Sequence, residues 1–427
     1  PSVLRLEAPK YLGDEDISIT RYITREWHEL EKERLWSRVW QFACRTDHIP
    51  EPGDYIVYDI TNQSYIVVRQ PDGSIKAYPN ACLHRGRKLK DYDGHCEEIR
   101  CPFHGFAWAL EGELADVPAK WDFPHVEERQ EQDFSLPECA VDTWAGFVFI
   151  NPDKNCEPLS DFLGGIKEQF EIWNLEDRCV EAHVTKIIGA NWKIAQEAFS
   201  EAYHVNATHP QILPYLADTN SQVDVWENYA RVITAGLSTS PLIWYEVSQD
   251  EMMRGMLDVR VDQDSPISIP EGASARAIAS SAARERWRPM VGDRVDTMSD
   301  AEMMDSIDYT IFPNMHPWGA FNRIVYRFRP NGDDPESSIM EIMFLFSKAP
   351  DGSHPEPAKM TMLGLDQKWA DAPELGSAAM VADQDTDNLM RIQRGLRASK
   401  KPGVTLARYQ ESRIRHYHET LDAYMAR

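Results

Sequence analysis

Cys82-Leu-His84 and, sixteen residues further on, Cys101-Pro-Phe-His104 supply two thiolates and two imidazoles at a spacing that belongs to loops. Two Cys on one iron and two His on the other make a mixed-ligand [2Fe–2S] cluster, whose neutral imidazoles raise its potential above that of an all-cysteine cluster. Zinc also accepts Cys₂His₂, but finger motifs group the Cys pair apart from the His pair. Here each half-motif contributes one of each. Around them, Tyr55-Ile-Val-Tyr and Tyr65-Ile-Val-Val read as strands, and the Pro71-Asp-Gly-Ser turn feeds another strand toward Cys82. A small β domain with its ligands on hairpin loops follows. Such a cluster moves single electrons, so the chain needs a recipient.

The segment Asn191-Trp-Lys to His209 offers one. On a continuous helix Glu197, Glu201 and His204 share a face at i, i+4 and i+7, and His209 follows where Pro210 signals a helix end. Two His plus one carboxylate form the facial triad of non-haem iron(II) oxygenases; the bland alternative is a helix end with two solvated histidines. Asp385 is the candidate third ligand. It sits in an apolar stripe of Val381, Leu389, Ile392 and Leu396 on a helix expected over 374–399, whereas Asp383 and Asp387 read as solvated. A buried carboxylate is costly unless paired or metal-bound, and the alternative partners are Arg391 and Arg394.

With these blocks in order, the chain resembles the catalytic α subunit of a Rieske non-haem iron ring-hydroxylating oxygenase. The resemblance implies an α+β fold. A small antiparallel β Rieske domain (41–155) is inserted near the start of a larger helix-grip, START-like catalytic domain (156–427) with a curved antiparallel sheet, to which residues 1–40 contribute a helical segment. It also implies a mononuclear Fe(II) at His204, His209 and Asp385, O₂ as co-substrate, and NAD(P)H electrons arriving through a ferredoxin and/or flavin reductase. Homotrimers follow as well, because each cluster feeds the iron of a neighbouring subunit. At the position where most of the family has Asp, bridging a cluster histidine to an iron histidine, this chain has Glu201. That choice resembles the carnitine- and choline-type branch, which attacks N-alkyl groups.

A net charge of −24 excludes binding to nucleic-acid phosphates. The lack of an apolar span or signal-type start, with seven irregularly spaced Cys, suits a cytoplasmic protein. Against the acidic background, Arg85, Arg87, Lys88 and Lys90 form a basic run next to a cluster ligand. They are candidates either for docking an electron donor or for a solvated loop whose arginines brace the cluster or the subunit interface.

The expected chemistry is hydroxylation of a largely apolar, aromatic small molecule. Monooxygenation with N- or O-dealkylation is favoured, with cis-dihydroxylation of a ring as the alternative. Candidate pocket residues are Phe199, Val205, Leu213, Ile243, Trp244, Phe312, Asn314 and Phe321, each of which could equally be plain core. A Rieske electron carrier would need only the first ~150 residues, and a binding protein that had lost catalysis should lack one of the triad. Residues 22–40, 158–173 and much of 250–308 read as helical, and 321–329 and 338–346 as strands.

Overall fold

The computed structural model describes residues 10–128, 134–259, 266–349 and 351–427; the chain start read above for a signal sequence, and 260–265 of the expected helical stretch, lie outside them. The chain falls into two compact units, one of residues 28–162 with 330–334 and 427, the other of 1–27, 163–329 and 335–426.

The smaller unit is built from short antiparallel sheets. Asp54–Ile60 pairs with Gln63–Arg69, which pairs in turn with Ile75–Pro79. The alternation of apolar and polar side chains along these runs buries Ile66, Val68 and Tyr78 together with Cys82, Cys101, Phe106 and Trp108 in one core. Ile99–Arg100 and Ala107–Trp108 form a hairpin whose loop carries Cys101 and His104.

In the larger unit an eight-stranded sheet runs in the order Gln222–Val225, Tyr229–Thr234, Ser306–Ile311, Met315–Pro317, Ile324–Asn331, Asp334–Ser347, Arg178–Ile188, Thr361–Leu363. Its first five strands are mutually antiparallel. The last is an exception to the antiparallel expectation, running parallel to Arg178–Ile188. Side chains alternate faces with a period of two. Ala182, Val184, Phe328, Met340, Ile342 and Phe344 therefore share a core with Ala379, Ala382 and Leu389 of the helix Ala378–Ala398.

The intervening residues place Glu341 on the opposite face. It is fully buried, with Arg327 at 2.6 Å, Arg329 at 2.9 Å and His183 at 3.0 Å. Burial alone would raise the pKa of this carboxyl. The charges of the two arginines and the His183 hydrogen bond outweigh burial and hold it well below the usual range. A depressed folded pKa means this stabilisation is complete above the unfolded value of about 4.3 and is lost as pH falls through the folded one. Glu341→Gln, which strands the arginine charges, is expected to cost about 3–5 kcal/mol at neutral pH. Thermal melts of the two proteins should converge in acid, and a constant difference from pH 7 to pH 2 would refute this account.

Two helical expectations shift. The buried face of Ala378–Ala398 carries Ala379, Ala382, Asp385, Thr386, Leu389 and Gln393, while Ile392 is exposed. The helix turns small and polar residues inward because the sheet lies close and the iron-ligand candidates lie at its middle. Asp383 is not simply solvated, since it caps the turn at Trp369 and Ala370 by accepting from their backbone N–H groups at 2.8 and 3.3 Å.

Candidate metal centres

In the smaller unit the two ligand loops are built alike. The Cys82 N–H bonds the Arg87 carbonyl and the Gly86 N–H returns to the Cys82 carbonyl, both at 2.8 Å; Cys101 repeats the pattern with Phe106 and Gly105. Gly86 and Gly105, each four residues after its cysteine, have φ of +75° and +83°, which only glycine adopts freely. Sequence reading passed over this shared Cys-plus-four glycine. The loops bury the thiols of Cys82 and Cys101 and bring the rings of His84 and His104 to 4.8 Å. Burial and the neighbouring Cys101 raise the Cys82 pKa, and burial with the nearby His104 and Arg85 lowers that of His84. His84 Nδ1 is buried with no hydrogen-bond partner among the described residues. An orphaned imidazole nitrogen beside two apposed thiols fits a [2Fe–2S] cluster held by these four side chains.

In the larger unit the continuous helix expected through His204 is broken. Trp192–Glu197 is helical, N-capped by the Asn191 side chain, and a single turn resumes at Val205–Thr208. Between them Glu201 accepts from the His204 N–H at 2.9 Å and from His204 Nδ1 at 2.8 Å. The break rather than a helical face aims His204. His209 is oriented by Gln384, whose Oε1 accepts from Nδ1 at 2.8 Å and from Gln211 Nε2 at 2.9 Å. With both Nδ1–H groups engaged, both Nε2 atoms face Asp385 Oδ1, at 3.5 Å for His204 and 2.8 Å for His209. One ligand atom from each of the three lies within 4.8 Å of the others. Arg391 pairs instead with Asp387 at 2.8 Å.

Burial works against a charged His204, but the hydrogen bond and charge of Glu201, followed by the charge of Asp385, outweigh it and raise the pKa. Surroundings that favour an imidazolium also favour a metal cation. Oriented tautomers, a buried carboxylate and acidic surroundings fit a mononuclear iron.

A cavity of about 590 Å³ reaches His204 and Asp385 and is also lined by Tyr22, Glu197, Glu201 and Glu411. Phe199 packs at 4.9 Å from Tyr326 and 5.4 Å from Phe328, and Trp318 stands 6.3 Å from Tyr326. The other pocket candidates scatter. Val205 is buried beside its ligand neighbour in the chain, and the Leu213 carbonyl accepts from Ser240. Ile243 packs on the cluster around Met252 and Met253, and Trp244 is 93% exposed. Phe312 stacks on Tyr424, and Phe321 stacks on Trp287 at 4.5 Å in a separate cleft. Asn314 is fully buried without a side-chain partner among the described residues. The basic run is engaged internally, with Arg87 on Asp91, Lys88 on Asp59, Arg85 over Phe103 and Lys90 over Tyr55.

The family described as ring hydroxylating alpha subunit (catalytic domain) matches residues 170–427, and the Rieske [2Fe–2S] domain matches 39–127. The chain belongs to the ring-hydroxylating α-subunit family. It combines a Rieske domain with a ring-hydroxylating catalytic domain, the domain types that carry a [2Fe–2S] cluster and a mononuclear iron as cofactors. This ring-hydroxylating α subunit is 30% identical over 192 residues to the carnitine monooxygenase oxygenase subunit of Acinetobacter baumannii, covering 44% of the chain and 51% of that protein. It is 34% identical over 197 residues to the large oxygenase component of the naphthalene 1,2-dioxygenase system of Pseudomonas putida, covering 44% and 42%. The chain thus spans about half the length of the curated relatives it matches. Its fold is that of a quaternary ammonium Rieske monooxygenase solved with γ-butyrobetaine, at TM-score 0.66, 20% identity and coverage of 96% and 95%. No helix among the described residues is long and apolar enough to cross a membrane.

Proposed function

We propose that this chain is the oxygenase component of a multicomponent system that inserts one oxygen atom beside the nitrogen of an N-alkylated, cationic small molecule. The observation that carries the reading is the aromatic cluster of Phe199, Trp318, Tyr326 and Phe328, whose Tyr326 lies within electrostatic reach of Asp385. Burial, then the charges of Asp385 and Asp308, hold the Tyr326 hydroxyl un-ionised, so the ring presents a neutral π face in a negative field. A quaternary ammonium is held by such faces through cation–π attraction, whereas an uncharged hydrocarbon gains nothing from the carboxylates. The largely apolar, aromatic substrate expected from the sequence is accordingly replaced. Glu201 in place of the commoner Asp and the carnitine and glycine betaine monooxygenase relatives point the same way.

Cys82, His84, Cys101 and His104 would hold the cluster, which would supply single electrons, and His204, His209 and Asp385 would hold the iron, which would supply the O₂ chemistry. Glu201 and Gln384 fix the imidazole tautomers, and Glu201 bridges His104 of one subunit to His204 of the next in a homotrimer. A ferredoxin and/or flavin reductase delivers the NAD(P)H electrons. Hydroxylation consumes O₂, two electrons and two protons and releases water; the hydroxylated carbon then loses the amine, giving an aldehyde and a proton.

Turnover under ¹⁸O₂ with γ-butyrobetaine, L-carnitine, glycine betaine and naphthalene, followed by mass spectrometry, tests the reading. A freed tertiary amine with its matching aldehyde is expected. The similarity to naphthalene dioxygenase carries a second reading, ring dihydroxylation. A naphthalene diol containing two labelled atoms, with the ammonium compounds untouched, would establish that reading instead.

A further inference from the structure

Glu197 is the last residue of the helix that leads into Glu201, and it lines the same cavity as Glu201 and His204. Its carboxylate is held from behind. Tyr22 Oη donates to it at 3.0 and 3.2 Å, and His418 Nε2 lies 2.9 Å from Oε1. Tyr22 and His418 are both 1% exposed and come from opposite ends of the chain. His418 Nδ1 faces the Arg21 guanidinium at 3.3 Å, and Arg21 is tied to Asp422 at 2.8 Å. Because a guanidinium can only donate, Nδ1 must accept. The donor nitrogen is then Nε2, which lies between Glu197 at 2.9 Å and Tyr22 Oη at 3.0 Å. The clamp reaches both carboxylate oxygens, and Glu197 still lines the cavity.

Glu201 is similarly engaged at its back by the two His204 donors. Of the two further acids in the cavity, Asp385 belongs to the metal triad, and Glu411 is pushed toward its neutral form by burial and then by the charges of Glu201 and Glu197, against a backbone N–H from Ala407. Two fixed carboxylates, Glu197 and Glu201, are left facing the opening. The cavity is otherwise walled by Ile194, Ile392, Leu396, Leu406 and Ile414, with Arg391 at its edge.

The cluster tip of this chain has the complementary chemistry. Pro102, Phe103 and His104 are exposed beside the cluster thiols, and the exposed Arg85 lies over the Phe103 ring at 5.6 Å. The tip offers one imidazole N–H and one guanidinium around an apolar centre, and the cavity offers two carboxylates around an apolar wall. Resting on the proposed function, in which Glu201 receives His104, we infer that Glu197 is a second receiving carboxylate, which pairs with Arg85 of another copy of this chain and fixes the angle at which the cluster tip seats. Glu197 is on this account a positioning residue for electron transfer between subunits. Tyr22, His418 and Arg21 keep it still, so that little side-chain freedom is lost on docking.

The experiment is a double-mutant cycle on the full, cofactor-loaded chain with Arg85→Gln, Glu197→Gln and both together, with Glu201→Gln as reference. Sedimentation equilibrium reads trimer dissociation. Stopped-flow absorbance reads cluster reoxidation after chemical reduction and mixing with O₂ and substrate. Each single variant is expected to weaken the trimer and slow reoxidation about tenfold. Because they remove the same contact, the double variant should be about tenfold slower and not a hundredfold. Additive effects, or wild-type association and rate in Arg85→Gln, overturn the inference while a slow Glu201→Gln leaves the proposed function standing. If Glu201→Gln is also as fast as wild type, the cavity does not receive electrons and the functional reading falls with it. Should Glu197→Gln not fold, the coupling is taken with Tyr22→Phe, which loosens the clamp: its effect in the Arg85→Gln background should vanish, and an undiminished effect there overturns the pairing.

Discussion

Asp385→Ala is expected to reduce the iron content from about three atoms per chain to about two and to lower turnover by more than a hundredfold, while the visible spectrum of the reduced and oxidised cluster stays unchanged. The size follows from position. Even partners that only orient a ligand cost 10- to 100-fold when removed, and among the described residues Asp385 is the carboxylate within reach of both Nε2 atoms. The same variant should not lower the melting temperature of metal-free protein. Without a metal, a 4% exposed carboxylate is met, among the described residues, by two histidines, and alanine removes that burden. Asp387→Ala, two residues on and exposed with Arg391, is the control and should leave iron and turnover alone. Iron at three per chain in Asp385→Ala would show that the triad is misassigned.

Legibility in the sequence was highest where chemistry constrains residue type and lowest where three-dimensional packing decides direction. Cys82, His84, Cys101, His104, His204, His209 and Asp385 stand out because few other side chains can bind iron, and their order along the chain marks the two domain types. The path between them was harder to read. Helical periodicity through 191–209 suggested one face, but the Glu201 side chain takes the His204 N–H that a continuing helix would have bonded to a carbonyl. The stripe on Ala378–Ala398 was misjudged at Ile392 because small residues such as Ala379 and Ala382 pack closely against the sheet, and hydrophobicity alone underrates them. The partners missed, Tyr22, Gln211, Gln384 and His418, are far from the ligands in sequence or ordinary in type. Gln384 carried a local hint, as the neighbour of a ligand candidate. The pocket was least legible, since Phe312, Phe321 and Trp244 have the composition of a binding wall and occupy three different places.

Glu201→Gln is the sharper test of how the two metals communicate. The substitution preserves size, keeps one oxygen that can still accept from His204 Nδ1 at the 2.8 Å position, and replaces the other with an amide that donates. The His204 backbone N–H, now accepted at 2.9 Å, then faces a donor, and the cavity loses a negative charge at the point proposed to receive a cluster imidazole. Iron should remain bound, loosened by no more than the roughly ten- to hundredfold typical of a changed orienting partner, because none of the three ligand candidates is altered. Electron transfer from cluster to iron should nevertheless slow by at least about a hundredfold. A charge-assisted acceptor is worth roughly twice a neutral one, and both the position of His204 and the reception of the partner's imidazole depend on it. Glu201→Asp separates these two functions. It restores the charge but shortens the reach by one methylene, so it should hold His204 less well yet recover a large part of the rate. If Glu201→Asp is as slow as Glu201→Gln, side-chain length and not charge governs the bridge, and the glutamate is a geometric requirement of this chain's interface.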